Sequence, residues 1–261
     1  MVTAELTVTV AVLGFVGAYF SGLVGVGGAV VLVPLLIYVP EWLGVGLLDI
    51  KASAAIAVTG VVFGTASATL AHARHQAVSR SLAVLLSVTT LVAAFGAGAL
   101  SKLVDSGWLL MLFAVVVTGA GVLTLLPAPL VEAGVTALDL RFNRPLATAI
   151  GLFAGIVIGF LGAGAFMLIP LVRYLLRVPM KIAIGTILVV AFFSALGSFG
   201  GKLITGQVPW LAIAAVLGAV PGAQVGSWMS QKLPGPTLRR LYTVLIACLA
   251  IGAWYDVLHV R

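Results

Sequence analysis

The sequence predicts an all-α integral membrane protein of about eight apolar segments in two inverted repeats, the first segment of each broken into a glycine-tipped helical hairpin. Three observations carry this expectation. Of 261 residues, 62% are hydrophobic and 8% charged, whereas about 25% of a soluble domain is charged. A glycine cluster interrupts an apolar run twice, at Gly22 to Pro34 (GLVGVGGAVVLVP) and at Gly159 to Pro170 (GFLGAGAFMLIP). The basic residues also fall unevenly among the loops, in a pattern that inversion of the second half explains.

In chain order, apolar runs occupy 6–40, 52–71, 81–101, 107–127, 145–172, 182–201, 208–230 and 241–255. The reading is one membrane transport domain, 1–261, with repeat one at 1–127, a cytoplasmic linker at 128–144 and repeat two at 145–261. Gly14, Gly22, Gly25 and Gly27 recur 137 residues later at Gly151, Gly159, Gly162 and Gly164, and Leu32, Pro34, Leu35 and Tyr38 recur 136 later. Beyond the break an offset of 130 pairs Lys51 with Lys181, Phe63 with Phe193, Gly96 with Gly226 and Lys102 with Lys232.

The first run of each half has an awkward length, with 35 uncharged residues between Glu5 and Glu41 and 28 between Arg144 and Arg173. One crossing needs about 20 residues and two need about 40 plus a turn. A hairpin of two shortened helices meeting at the glycines fits both runs, and its tip must be surrounded by protein or water because lipid offers no hydrogen bonds. The remaining runs each match a single span.

Charge supports the same count. If each hairpin enters and leaves on one side and three spans follow, each half makes an odd number of crossings and the second half is inverted. With both termini outside, the inside loops at 72–80, 128–144, 173–181 and 231–240 hold ten of the fourteen basic residues, leaving Lys51, Lys102, Lys202 and Arg261 outside. That agrees with the positive-inside rule. Met1 to Leu6 carries Glu5 and no basic opening, so the first run is expected to stay in the mature protein. Cys248 is the lone cysteine, which excludes an intrachain disulfide or a cysteine-ligated cluster.

The breaks are the candidate substrate site. Each restarts a helix, at Gly27-Gly28 and at Gly164-Ala165, and a helix N-terminus presents unpaired N–H groups and the positive end of its dipole to an anion. Two such ends related by inversion would meet near the midplane. Ser21, Gly22, Gly25, Gly27, Gly28, Gly162, Gly164 and Ala165 belong to this set. The alternative for the glycines is small-xxx-small packing, as in Gly14 to Ala18 or Gly155 to Gly159. Among polar residues within spans, Ser53, Thr186 and Gln224 are the pathway candidates, against the plainer reading of helix-to-helix hydrogen bonds. Lys51 and Lys181 each follow a hairpin and open the next span, where they would draw anions into a vestibule at each face or simply snorkel to the headgroups.

Other chemistries are excluded. No Lys-Ser or Lys-Thr follows the glycines, so they are no nucleotide loop. Lys and Arg are scattered singly rather than in a patch, so the net charge of +7 does not imply nucleic acid. No carboxylate lies mid-span, and His72 and His75 have no partner at metal spacing. Neither catalysis, nor a metal, nor a cofactor is expected.

A broken first helix reading Gly-x-x-Gly-x-Gly-Gly-x5-Pro, its weaker copy, and about eight spans in two halves resemble the TauE/SafE sulfite exporter family over nearly the whole chain. The resemblance implies a multi-pass permease of the bacterial inner membrane that moves a small sulfur-containing oxyanion or sulfonate, such as sulfite or sulfoacetate. The substrate role it implies falls on the matching glycines and prolines. Ala29, Ala165 and Phe166 stand where the family's run is often richer in glycine, so the two copies are unequal. The expected mechanism is alternating access within the lipid bilayer, with a proton or sodium ion as the coupling partner. An anion-selective channel of inverted half-helices and a non-transporting membrane scaffold are the rival readings.

Overall fold

The computed structural model describes residues 4–24, 29–72, 78–125, 140, 142–162, 165–233 and 235–259. Among them the chain is helical, with no strand. The helices are α1 (Ala4–Val24), α2 (Ala29–Trp42), α3 (Ile50–His72), α4 (Arg80–Leu100), α5 (Ser106–Leu125), α6 (Arg144–Leu161), α7 (Ala165–Leu175), α8 (Met180–Ile204), α9 (Ala212–Lys232) and α10 (Gly235–His259), with one 3-10 turn at Ser101–Leu103. Seven are long and apolar enough to cross a membrane, namely α1, α3, α4, α5, α6, α8 and α9. The chain is therefore a multi-pass membrane protein.

Capping side chains explain several helix starts. Asp49 Oδ1 accepts from Ala52 N at 3.0 Å at the head of α3, and Asp105 Oδ2 accepts from Gly107 N at 2.8 Å at α5. Asn143 Oδ1 accepts from Leu146 N at 3.2 Å at α6, where Pro145 occupies the first turn. Each satisfies an N–H that the helix itself leaves unpaired.

Both first runs are divided where the glycines predict. The expectation of two shortened arms is corrected in one respect, since the arms are unequal. α1 has 21 residues and α6 has 18, about 27–32 Å at 1.5 Å per residue. α2 has only 14 and α7 only 11. The reason is the off-centre position of the glycines in each run, which leaves most of the apolar length ahead of the break. Pro34 and Pro170 each occupy the sixth residue of the short arm and remove one ladder donor there.

Packing interlocks the two halves. The most extensive helix contact joins α1 to α9, and the next two join α4 to α8 and α4 to α6. α3 completes a three-helix body with α1 and α9, while α4, α6 and α8 form the other. α3 and α8 meet at the seam between them. The glue is backbone contact: facing carbonyls stand where a Cβ would project from Gly14, Gly22, Gly218, Gly222 and Gly226 in one body, and from Gly155, Gly159, Gly197 and Gly201 in the other. The small-xxx-small reading therefore holds for Gly14 and for Gly155 to Gly159. Lipid-facing surface is apolar, with Trp42, Trp108 and Trp210 exposed at helix ends as interfacial anchors.

Candidate functional site

The second break is built from a glycine that no other residue can replace without displacement. Gly162 caps α6 in the left-handed region (φ 66), and its N–H donates to Ile158 O at 2.8 Å. A Cβ there would collide with the backbone of Ala54 in α3. Close approach and positive φ thus select glycine together. On the other side, Ser198 Oγ of α8 donates toward Ile158 O (3.2 Å) and Gly159 O (3.3 Å).

One turn after Ser198, α8 carries Lys202, whose side chain is 0% exposed. Its Nζ donates to Ser101 Oγ at 2.7 Å and to Phe160 O at 3.4 Å, the latter two residues before the Gly162 turn. Ser101 Oγ lies 2.7 Å from Gly98 O and 2.9 Å from Gln207 Oε1, and can donate to one of them. Gln207 Nε2 in turn donates to Thr205 Oγ1 (2.6 Å) and Gly98 O (3.1 Å). Lys51 Nζ donates to Lys102 O at 3.1 Å, and Lys102 Nζ to Thr205 O at 3.4 Å. Among the described residues no carboxylate pairs with any of these three lysines. Asp49 and Asp105, the nearest acids along the chain, cap α3 and α5.

Ser53 of α3 lies next to the Ala54 backbone that touches Gly162. It is fully buried and its Oγ has no hydrogen-bond partner. The second break thus gathers a buried ammonium, two further lysines and an unsatisfied hydroxyl in one neighbourhood. Such groups attract an anion; no group of three metal-ligating side chains occurs among the described residues.

The other predicted residues are distributed more widely. Gly25, Gly27, Gly28 and Gly164 lie outside the described residues. Gly162 and Ala165 flank the second break, with Ala165 buried as the first residue of α7. This break sits beside the fifth residue of α3 and the last turns of α4 and α8, so its expected place near the midplane is corrected to one end of the bundle. The cause is the full length of α6. Gly22 packs on the α9 backbone near Ala223 and Ser227. Ser21 lines a narrow cleft of about 10 Å³, room for roughly one water, with Gly60, Gly64 and Thr65 of α3 and Ala219 of α9. Thr186 Oγ1 accepts from Ser79 N at 3.2 Å, and Gln224 Nε2 donates to Ser67 Oγ at 3.0 Å, both helix-to-helix bonds of the plainer kind. Lys51 belongs to the Lys202 neighbourhood; Lys181 occupies the second position of α8, toward the opposite end. Sequence reasoning missed Lys202, Ser101 and Gln207. The available signal was that Lys51, Lys102 and Lys202 are the lysines assigned to one face, all at span ends.

Comparison with known proteins bears on what this arrangement serves. The family profile described as "Sulfite exporter TauE/SafE" matches residues 10–253. A "Probable membrane transporter protein" of Xylella fastidiosa strain Temecula1 is 28% identical over 265 residues, covering 96% of this chain and 95% of that protein. The "Probable membrane transporter protein YunE" of Bacillus subtilis strain 168 is 24% identical over 262 residues, covering 92% and 96%. No solved structure matches the chain. With the glycine breaks, the multi-pass helical bundle and a profile match across nearly its whole length, the chain belongs to the TauE/SafE sulfite exporter family of membrane transporters.

Proposed function

We propose that the protein moves a small sulfur-containing anion, sulfite or an organosulfonate, and holds it at the second glycine break. The observation that carries this reading is Lys202, a fully buried ammonium without a carboxylate partner among the described residues. Burying a lone charge costs several kcal/mol, and ionisable groups inside membrane helices are by default functional. An oxyanion at Lys202 would neutralise the charge, accept from the ammonium and from the first N–H groups of α7, and give the Ser53 hydroxyl an acceptor. Lys51 and Lys102 would raise the local anion concentration at the mouth.

The packing supports a particular form of alternating access. Rocking one sequence repeat against the other would tear the glycine-tight α1–α9 and α4–α6 contacts. Rocking the α1–α3–α9 body against the α4–α6–α8 body moves the thinner α3–α8 seam and the Gly162–Ala54 contact between α6 and α3, both of which lie across that divide.

Thermal melting of the purified chain with sulfite, thiosulfate, sulfoacetate, taurine, sulfate and carboxylate analogues tests the reading. A ligand at a hundredfold excess over its dissociation constant adds about 2.7 kcal/mol. Lys202→Met should itself stabilise the apo protein, by about 1–3 kcal/mol, and should abolish the shift caused by the sulfur anion. A methionine variant that keeps the parent's sulfite response would exclude Lys202 as the anchor.

A further inference from the structure

Helix α10 is anchored on one flank only. Its most extensive contact is with α5, where Trp254 Nε1 donates to Thr118 Oγ1 at 2.9 Å and the buried Ile246 packs close over Gly121. It barely touches α2, the short arm that follows the first break. Between α2, the head of α3, α5 and α10 stands a cavity of about 240 Å³. Pro34 and Tyr38 of α2, Ile50 of α3, Phe113 of α5, and Cys248 and Gly252 of α10 are among its walls.

The chemistry of the walls selects what fills this space. Among the described residues that line it, only Tyr38 and Cys248 carry a polar side-chain atom. An ordered water needs about two to four polar partners, whereas apolar cavities of about 150 Å³ stay dry and take up benzene. An empty void costs stability in proportion to its volume, and the tie between α10 and α5 keeps this one from closing. Its mouth is on the bilayer side, since Tyr38 and Cys248 are exposed as well as lining the cavity, and Ile251 beside them on α10 is exposed too. The cavity is thus continuous with the apolar surface that faces lipid. Its depth also fits a single leaflet: Leu110 and Phe113 of its wall stand roughly 6–11 Å below the start of α5 at Ser106, at about 1.5 Å per residue. The hydrocarbon of one leaflet is about 15 Å thick, and Trp42 and Trp108 mark its rim.

We propose that this cavity holds one acyl chain of a bilayer phospholipid, which completes the wall between α2 and α10. A flexible hydrocarbon chain fills an irregular apolar space, needs no polar partner, and arrives from the surface on which the cavity opens. Gly252 makes the room: a Cβ there would meet nothing within 4 Å. A large side chain at that position would therefore take the place of the acyl chain without striking the helices around it.

Native mass spectrometry of the full chain, released from detergent after incubation with phosphatidylethanolamine, tests the proposal. The parent should keep one phospholipid under activation that strips the rest. Gly252→Phe, which fills the cavity from within, should lower that occupancy about tenfold, the worth of roughly two buried methylene groups. Gly96→Leu is the control, since Gly96 also faces open space but lies on α4, outside the cavity. It should hold occupancy within about twofold of the parent. No retained lipid in the parent, full retention in Gly252→Phe, or equal loss in both variants overturns the site. A dimer that Gly252→Phe dissociates, with no lipid on the parent, would make the occupant a second copy of the chain and likewise overturn it. If Gly252→Phe does not fold, the parent decides alone. Phosphatidylethanolamine with a diazirine in mid-chain should then crosslink mainly to residues 33–38 and 248–253, and crosslinks spread evenly over the lipid-facing helices overturn the proposal.

Discussion

The α4–α6–α8 body and the α1–α3–α9 body use the same glue and carry different cargo. In both, glycine brings helix backbones into direct contact, and in both the first helix of one half grips the third span of the other. Among the described residues, the first body ends in a connected polar network, Lys202–Ser101–Gln207–Thr205. The second has an amide-to-hydroxyl bond between Gln224 and Ser67, and a cleft with room for little more than a water. The lesson is that the glycines answer to assembly, while the polar network sets the candidate site apart from its scaffold.

The comparison breaks first if the glue is not shared. Gly155→Leu and Gly222→Leu should each prevent a stable fold, because a side chain meets facing backbone that cannot yield; overpacking costs about 1–3 kcal/mol even where neighbours relax. Gly96→Ala and Gly119→Ala, which face open space, should melt within about 0.5 kcal/mol of the parent. A leucine variant in one body that melts like the parent would show that only the other is backbone-packed.

A finer contrast lies between two buried hydroxyls without partners, Ser53 and Ser87. Replacing either by alanine should leave the apo melting temperature unchanged or higher, since an unsatisfied buried hydroxyl is destabilising by about 1–3 kcal/mol. Only Ser53→Ala should weaken sulfite binding, about threefold, as expected for one lost hydrogen bond. Equal sulfite affinities in both variants would remove Ser53 from the site. The smallest effect is expected at Gln224→Leu, which breaks one interhelical hydrogen bond worth about 0.6 kcal/mol and should leave sulfite affinity at the parent value. A large loss of affinity there would extend the anion path into the second body.

Much of this organisation was legible before any coordinates. Glycine clusters inside apolar runs mark helix breaks because few other residues tolerate both the turn and the crowding, and Gly162 does have the positive φ that this argument needs. The number of spans follows from apolar length. The unequal arms were visible too, in the long stretch between Glu5 and Gly25, but a symmetric hairpin was the simpler reading of a symmetric motif. Lys202 was not legible. A lysine at a span end looks like one that snorkels, and its burial depends on the 3-10 turn at Ser101 and on Gln207 folding back from the next loop, contacts separated by about a hundred residues in sequence. Thr186 and Gln224 stood out for the converse reason: polarity in a span is visible, whereas its partner, Ser79 N or Ser67 Oγ, is not.

The interlocking of the halves also orders the chain's biogenesis. α1 is made first, yet the helix that covers its glycine face, α9, ends at Lys232, after nearly the whole protein has been synthesised. α4 finds α6 and α8 earlier, by Ile204. The nascent chain therefore brings α4, α6 and α8 together while the Gly14 and Gly22 face of α1 still lacks its partner, and a chain shortened before α9 would leave that face bare.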